Sequence, residues 1–364
     1  MASNTYESLN SRPFRAATEC RPADPNCSRW AIVLAGGEGT RMQPLISCWI
    51  GEARPKQYCA FIGTRSMLEH TIDRARSVVS EKQIVTVIGQ NHGKFLNRSA
   101  NGRLHGPVLE QPKNMGTAAG AFLSAAYVLA NDPEATLILF PSDHFVRPED
   151  RFCEHMTRAL EMAEKYDDRL ILVGAVPDRP ETEYGWIDCG RAWKGHADPL
   201  VHEPMAVLRF REKPHMTEAR MLHQQGCLWN TMVMTVKAKT LWALGRQCMP
   251  EMICKFDAFF MVLRAVREGR LDSRFEANAL ASLYNDLGPA DLSKDILQHV
   301  PEQSMVLPME GVNWCDWGCP QRMTETLVNL GHRQSFFPGS LEYLYARAAS
   351  LPESNGGGGY ESTS

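Results

Sequence analysis

Short apolar runs separated by amphipathic stretches set the pattern of this chain. The runs at 30–35 (WAIVLA), 84–88 (IVTVI), 136–140 (TLILF) and 170–176 (LILVGAV) have strand length and are apolar almost throughout, as in strands buried on both faces. Between them, Leu68, Ile72, Ala75 and Val79 fall on one helical stripe, and Phe122, Ala126 and Leu129 on another. Strands alternating with helices predict an α/β fold with a mostly parallel sheet covered by helices on both sides. From 180 to 240 the runs shorten and turn residues intervene, as in PETEYGWI and AVLRFREKP, which predicts an antiparallel sub-sheet or lid. Residues 1–28 are polar, rich in Ser, Arg and Pro, and lack periodicity, so a flexible leader is expected there. At the other end ESNGGGGYESTS reads as a disordered, Gly-rich tail.

Composition narrows the function classes. At 364 residues the chain can bury a large core, and 29–330 is expected to form one catalytic domain, with 331–364 holding a final helix and the tail. A net charge of −3 without a basic block argues against a nucleic-acid partner. No apolar run approaches the ~18 residues that span a membrane, and the N-terminus lacks the basic-then-apolar pattern of a secretory signal. The eleven cysteines are scattered and contain no C-x-x-C pair, and Cys315 and Cys319 have no His pair nearby. Reduced thiols in a cytoplasmic protein are therefore expected, rather than a disulfide framework or a cysteine metal site.

The candidate chemistry starts at WAIVLAGGEGTRMQPL, 30–45. Gly36, Gly37 and Gly39 let the chain turn sharply at the end of a buried strand and bring backbone N–H groups against a ligand. Arg41 places a planar, permanent cation beside that turn, suited to phosphate oxygens. The spacing is neither G-x-x-x-x-G-K-[ST] nor G-x-G-x-x-G, which sets aside both common nucleotide-binding fingerprints. Lys56 follows in ARPKQYCAF, where Pro55 stiffens the chain and Tyr58 and Phe61 suggest packing. Two cations converging on one loop would neutralise a polyphosphate. Asp143 ends the run LILFPSD, where ligands gather in parallel sheets, and Mg²⁺ takes one or two such carboxylates plus phosphates. Asp316, in NWCDWGCP, is the candidate second carboxylate.

LAGGEGTRMQPL, ARPKQY, QPKNMGTAAG, FPSDHF, PETEYGWI, RFREKP, LWNTMVM and WCDWG stand in the order found in sugar-1-phosphate nucleotidyltransferases. The chain resembles that family over about residues 29–330 and, within it, is most similar to the mannose-1-phosphate guanylyltransferases. The resemblance implies a Rossmann-like, mostly parallel sheet with an antiparallel sugar-binding sub-sheet. It implies transfer of GMP from GTP to mannose 1-phosphate, with Mg²⁺ as cofactor, no nucleic-acid or membrane partner, and a homodimer as a candidate assembly. It assigns Leu34, Gly36, Gly37, Gly39, Thr40, Gln111, Gly116 and Thr117 to the nucleotide, Gln111 reading the base edge. Arg41 and Lys56 would steady the triphosphate, and Asp143 and Asp316 would hold the metal. Tyr184, Gly185, Glu212, Lys213 and Asn230 would face the sugar phosphate. His144 is expected to be structural, because an ionised phosphate nucleophile needs no general base.

Several positions depart from that pattern. Met115 stands where an Arg is usual, and Ala119 where a Pro is usual, which bears on nucleotide affinity more than on mechanism. Trp317, Cys319 and Pro320 change the neighbours of Asp316, and Cys48 and Trp49 are bulky additions between Arg41 and Lys56. With neither a fused cupin-like domain nor hexapeptide repeats in these residues, a single-function transferase is expected. Two alternatives stay open: a relative using UTP, ATP or dTTP with another hexose phosphate, and a weakly catalytic nucleotide-sugar sensor or assembly subunit.

Overall fold

A computed structural model describes residues 28–100, 106–190 and 204–329, with the side chains of 97–100 left aside. The expected tail, the final helix beyond 330 and all of the leader except Ser28 lie outside these residues. The strands are β1 (Arg29–Ala35), β2 (Ile84–Ile88), β3 (Val108–Glu110), β4 (Thr136–Pro141), β5 (Phe145–Arg147), β6 (Leu170–Ala175), β7 (Gly185–Asp188), β8 (Met205–Ala206), β9 (Arg209–Glu212), β10 (Leu228–Lys237), β11 (Ser304–Met309) and β12 (Asn313–Cys315). The helices are α1 (Gln43–Ile50), α2 (Met67–Arg76), α3 (Gly93–Ala100), α4 (Gly116–Asn131), α5 (Glu149–Lys165), α6 (Met216–Gln224), α7 (Ala238–Cys248), α8 (Pro250–Arg267), α9 (Arg274–Asp286) and α10 (Pro320–Asn329).

The main sheet runs β3-β2-β1-β4-β10-β6-β11-β8. The β3-β2-β1-β4 half is parallel, as is the β6–β11 pair, while β10 runs antiparallel to both β4 and β6. All four apolar runs read from the sequence are strands of this sheet. Alternate side chains of each strand enter two separate cores. Ile32, Leu137, Leu139 and Leu172 pack with Phe122 of α4 and Phe256 of α8. Val33, Ile138, Phe140 and Val173 pack with Ile72 of α2 and Leu160 of α5. Both faces being covered explains why these runs lack alternation.

The antiparallel part also forms, with β7 pairing both β10 and β9. It is continuous with the main sheet, because β10 serves both, and it holds Gly185 opposite Glu212. The short strands β3, β5 and β12 escaped the sequence reading, and so did β11 and the place of β10 in the main sheet. The second half of β10 lies beside β4 in the middle of the sheet, and β11 adds a parallel strand beside β6.

A third, smaller core matters most for the site. Met42, Leu45 and Ile46 meet Phe61, Phe145, Trp317, Met323 and Leu327. The Trp317 ring stacks on Phe145 with centroids 4.9 Å apart and meets the edge of Phe61 at 5.7 Å. Trp49 stacks on Phe61 at 5.5 Å. The bulky departures at 49 and 317 therefore fill this one cluster. Beside it β5 and β12 pair antiparallel, with Cys315 opposite Phe145. That pairing brings the residues just after Asp143 against those just before Asp316.

Charge braces the Asp143 turn from behind. Buried Arg74 donates to the backbone carbonyl of His144 (3.2 Å) and to Glu149 Oε1 (3.1 Å), and His70 also contacts Glu149. Burial acts to raise the Glu149 carboxyl, but the hydrogen bond from His70 and the charge of Arg74 outweigh it and hold it at about 2. A depressed folded-state value stabilises fully above the ordinary pKa of 4.5, and that stability drains away as pH falls toward 2. Glu149→Gln should lower stability by about 2–3 kcal/mol at pH 7, the scale of such a shift. Urea unfolding at a series of pH values should show the gap to wild type closing between pH 4.5 and 2; a gap independent of pH would contradict the pairing.

Candidate active site

The glycine loop leaves the carboxyl end of β1, and its conformation follows from side chains that brace it. Gln57 is buried and its amide donates to the carbonyls of both Ala35 (2.9 Å) and Gly37 (2.8 Å). Gly39 has φ +61° and ψ +36°, and a Cβ there would lie 3.2 Å from the backbone N of Lys56. Thr40 and Arg41 then start a short 3₁₀ turn. At Gly36 a Cβ would come within 2.5 Å of the Gln111 side-chain amide, so this glycine makes room for Gln111. Gly37 has open space around it. On the loop, Glu38 contacts the ring of buried His92 at 3.2 Å, while Nδ1 of that ring accepts from the Gly89 amide.

Gln111 is buried between this loop and α4, and its carbonyl oxygen accepts from the Tyr284 hydroxyl of α9 (3.0 Å). Gly116 opens α4 with φ +86°, and a Cβ would sit 2.1 Å from the carbonyl of Ala290. Thr117 Oγ1 accepts from the Leu292 amide (2.9 Å), so segment 290–292 closes over the start of the helix. Leu34 is partly buried beside Gly120. Met115 packs against the adjacent core, apolar contact taking the place of the cation usual there.

Lys56, expected to steady the triphosphate from a packed segment, is enclosed by protein acceptors. It is 3% exposed. Its ammonium contacts Asp143 Oδ2 at 2.9 Å and donates to the backbone carbonyls of Asp316 and Trp317. An ammonium has three protons, and all three are taken by protein acceptors. Lys56 thus ties β1's loop, the Asp143 turn and the Asp316–Trp317 segment together. Arg41 remains half-exposed and pairs with Glu183 at 2.5 Å, from the PETEYGWI turn.

The two carboxylates are near enough to raise each other's cost of ionisation, yet both sit below the usual range. For Asp143, burial and Asp316 push upward, and the Lys56 ammonium, through its charge and its hydrogen bond, leads the downward push that wins. Asp316 is likewise held down against burial by Arg322 and then Lys56. Asp143 is about one-third exposed, and among the described residues the charged or polar partner found near its Oδ1 is His144, at 3.7 Å. Asp316 is enclosed. Its Oδ1 accepts from the Tyr184 hydroxyl (3.0 Å), the Gly318 amide (2.9 Å) and Arg322 Nε (2.9 Å), and its Oδ2 from Arg322 Nη2 (3.0 Å). A Cβ on Gly318 would fall 2.3 Å from Asp316 Oδ2 and 2.8 Å from Arg41 Nη2, so Arg41 reaches the same spot. Asp143 therefore fits a hard divalent cation, offering an ionised carboxylate with a free oxygen, whereas Asp316 is already neutralised. No cluster of three or more His, Cys, Asp or Glu side chains suited to a metal occurs among the described residues.

His144 is packed, not poised. Its ring meets Trp314 edge-on at 5.2 Å, and burial lowers its pKa so that it stays neutral near pH 7. Tyr184, Gly185, Glu212, Lys213 and Asn230 come together on the β7–β9–β10 sub-sheet. A Cβ on Gly185 would lie 2.8 Å from Glu212 Oε2 and 3.2 Å from Asn230 Cβ. Lys213 has φ +47°, and its amide donates to the Tyr184 carbonyl (3.2 Å), which turns its half-exposed ammonium to within 3.8 Å of Glu212. Burial raises the Glu212 carboxyl, partly offset by Lys213. The Asn230 carbonyl oxygen accepts from the Met232 amide at a bulge in β10, which fixes the side chain.

Sequence reasoning missed Gln57, Glu183 and Arg322. Gln57 adjoins the lysine that was singled out, and its two-proton amide was a readable signal. Arg322 gave none, since an arginine on a C-terminal helix ordinarily faces water.

No disulfide links the described cysteines, and no described helix is long and apolar enough to cross a membrane. The chain is 29% identical over 294 residues to the xanthan biosynthesis protein XanB of Xanthomonas campestris, a match covering 79% of this chain and 57% of that protein. It is 30% identical over 207 residues to a mannose-1-phosphate guanylyltransferase of Escherichia coli K12, covering 56% of this chain and 41% of the relative. The chain thus spans about half the length of these relatives. Among solved structures it is similar to a protein described as a mannose-1-phosphate geranyltransferase from Thermus thermophilus, with a TM-score of 0.64, 25% identity and coverage of 80% of this chain and 76% of that one. A Helicobacter pylori protein described as a mannose-6-phosphate isomerase shares the fold, at TM-score 0.59, 19% identity and coverage of 79% and 99%. The nucleotidyl transferase family model matches residues 30–330, the whole span that builds the sheet and the site, and the chain belongs to that family.

Proposed function

We propose that the protein transfers GMP from GTP to mannose 1-phosphate, giving GDP-mannose and pyrophosphate. The observation that carries this reading is the bond between Tyr184 and Asp316. It joins the turn of the antiparallel sub-sheet to the segment after β12, which Lys56 in turn ties to the Asp143 turn after β4, so the two regions read as anion-binding share one wall. One region has glycine amides and Arg41, and the other has Lys213 and Glu212. A reaction between two phosphates needs that adjacency.

In this reading the sugar phosphate attacks the α-phosphorus of the triphosphate in line, and pyrophosphate leaves. The attacking oxygen is already ionised, which is consistent with a neutral, packed His144. The amides of Gly36, Gly37, Gly39 and Thr40 hold the triphosphate, and Arg41 exchanges Glu183 for a phosphate oxygen. Gln111, held by Tyr284, reads the base edge, with Leu34, Gly116 and Thr117 lining that side. Glu212 and Asn230 accept sugar hydroxyls, and Lys213 binds the sugar phosphate. Asp143 would hold a magnesium ion, which when bound supplies positive charge against the triphosphate. Lys56 acts as a buried strut that keeps Asp143 ionised and in place. The fit of the site to one class of chemistry is electrostatic throughout: charge is positioned before the reactants arrive.

Pyrophosphate release from the purified protein with Mg²⁺, across four triphosphates and several sugar 1-phosphates, is the direct assay. GTP with mannose 1-phosphate is expected to give the strongest signal. A different best pair would move the reading to another member of the family. Silence across the panel would leave a nucleotide-sugar-binding subunit.

Two substitutions separate the cations. Lys56→Ala should cost about 3 kcal/mol of stability by stranding a carboxylate that a buried cation had neutralised, and turnover should fall with it. Arg41→Ala should leave stability within about 0.5 kcal/mol, as for an exposed pair, yet lower kcat by roughly 10²-fold, the scale of losing one transition-state contact. Chemical unfolding and steady-state rates check both, and equal stability losses would contradict the assignment. Lys213→Ala should weaken binding of mannose 1-phosphate more than that of GTP; calorimetry showing the reverse would reassign Lys213.

A further inference from the structure

Arg322 is a cation in an unusual place. It lies on the first turn of α10 and is 7% exposed. Its Nε and Nη2 grip the two oxygens of Asp316 at 2.9 and 3.0 Å, a fork that satisfies both at once. Its guanidinium carbon lies 5.1 Å from the Tyr184 ring centroid, and Nη1 is 3.6 Å from Glu181. Glu181, Tyr184 and Asp316 thus all converge on one arginine. Glu181 and Tyr184 belong to the PETEYGWI turn, and the Tyr184 hydroxyl donates to the same Asp316 oxygen that Arg322 holds. Gly318 completes the enclosure, because any Cβ there would strike Asp316 Oδ2 at 2.3 Å and Arg322 Nη2 at 2.6 Å.

We propose that Arg322 is a positioning residue that turns Asp316 from a metal ligand into the anchor of the sugar-side turn, leaving the divalent cation to Asp143. The proposal rests on the transferase reading for its metal, and on geometry alone for its ion pair. Both oxygens of Asp316 are engaged by a charge that cannot be titrated away, so a metal reaching them must compete with a guanidinium. Among the described residues Asp143 has no such competitor at Oδ1, its cation Lys56 sitting on Oδ2. The same clamp fixes Tyr184: its hydroxyl meets an acceptor held in place from the opposite side, and its ring faces the cation that holds it. Arg322 links metal selectivity on one side of the site to the shape of the sugar pocket on the other.

The test has two arms. First, thermal unfolding in EDTA of Asp316→Asn, Arg322→Met and the double variant reads the ion pair with no metal or substrate present. Each single change should lower Tm, and the double change should lower it by less than the sum of the two. Additive losses, or a higher Tm for Asp316→Asn through relief of repulsion with Asp143, would overturn the proposal. This arm stands even if the protein transfers nothing. Second, Mn²⁺ binding in the presence of GTP, followed by electron paramagnetic resonance, reads the metal directly. Arg322→Met frees the second carboxylate, so Mn²⁺ affinity should rise by about tenfold, the scale on which a partner of a ligand acts. Asp143→Asn should abolish binding, and Asp316→Asn should leave it within about twofold of wild type, as expected where one carboxylate suffices. Unchanged or weaker Mn²⁺ binding in Arg322→Met would overturn the proposal. If Arg322→Met does not fold, Arg322→Lys, which keeps the charge but loses the fork, should show the same gain in smaller measure, and its absence would count equally against the clamp.

Discussion

The ammonium of Lys56 is the point on which the site depends. It is enclosed, and each of its protons meets an acceptor from a part of the chain remote in sequence: the carboxylate after β4 and two carbonyls after β12. A buried charge with any partner missing would be costly, so these segments have to close together or not at all. The glycine loop shares the constraint, since Gly39 lies against the backbone of Lys56 itself. One cation therefore sets the spacing of the phosphate-binding loop and both carboxylates.

Around that strut the charges alternate in sign. Lys56 faces Asp143, Arg322 faces Asp316, Arg41 faces Glu183 and Lys213 faces Glu212. The inner pairs are enclosed and fix geometry. In the outer pairs both cations are half-exposed; Glu183 is half-exposed too, so an arriving phosphate can exchange for it at small cost, whereas Glu212 is enclosed. In the proposed reading, the site's own anions stand in beforehand for the two phosphate-bearing substrates. The aromatic cluster of Phe61, Phe145 and Trp317 supplies the rigid backing that keeps the inner pairs from relaxing into water.

Much of this was legible in the sequence, for identifiable reasons. Strands buried on both faces cannot be mistaken for surface segments, so the four apolar runs were read within a residue or so of their bounds. β10 was harder, because one strand runs from the antiparallel sub-sheet into the middle of the main sheet, antiparallel to all its neighbours, and a bulge at 230–234 breaks its pattern. The glycines at 36, 39 and 116 declared themselves through a backbone need, and each has a close contact that a side chain would violate. The partners of Lys56 and Asp316 were not legible. Whether a lysine reaches phosphate or carbonyl, and whether an aspartate meets metal or arginine, depends on contacts across 260 positions and on a helix whose arginine looks like surface.

The central claim is that the glycine loop, Arg41 and Asp143 form one phosphate-binding site beside the Tyr184 turn. A crystal structure with GTP and Mn²⁺, with the metal located by its anomalous signal, addresses it directly. The account predicts the triphosphate against the amides of Gly36–Thr40, Mn²⁺ on Asp143, and Arg41 moved from Glu183 to phosphate. A triphosphate bound away from that loop, or a metal ligated without Asp143, would contradict it.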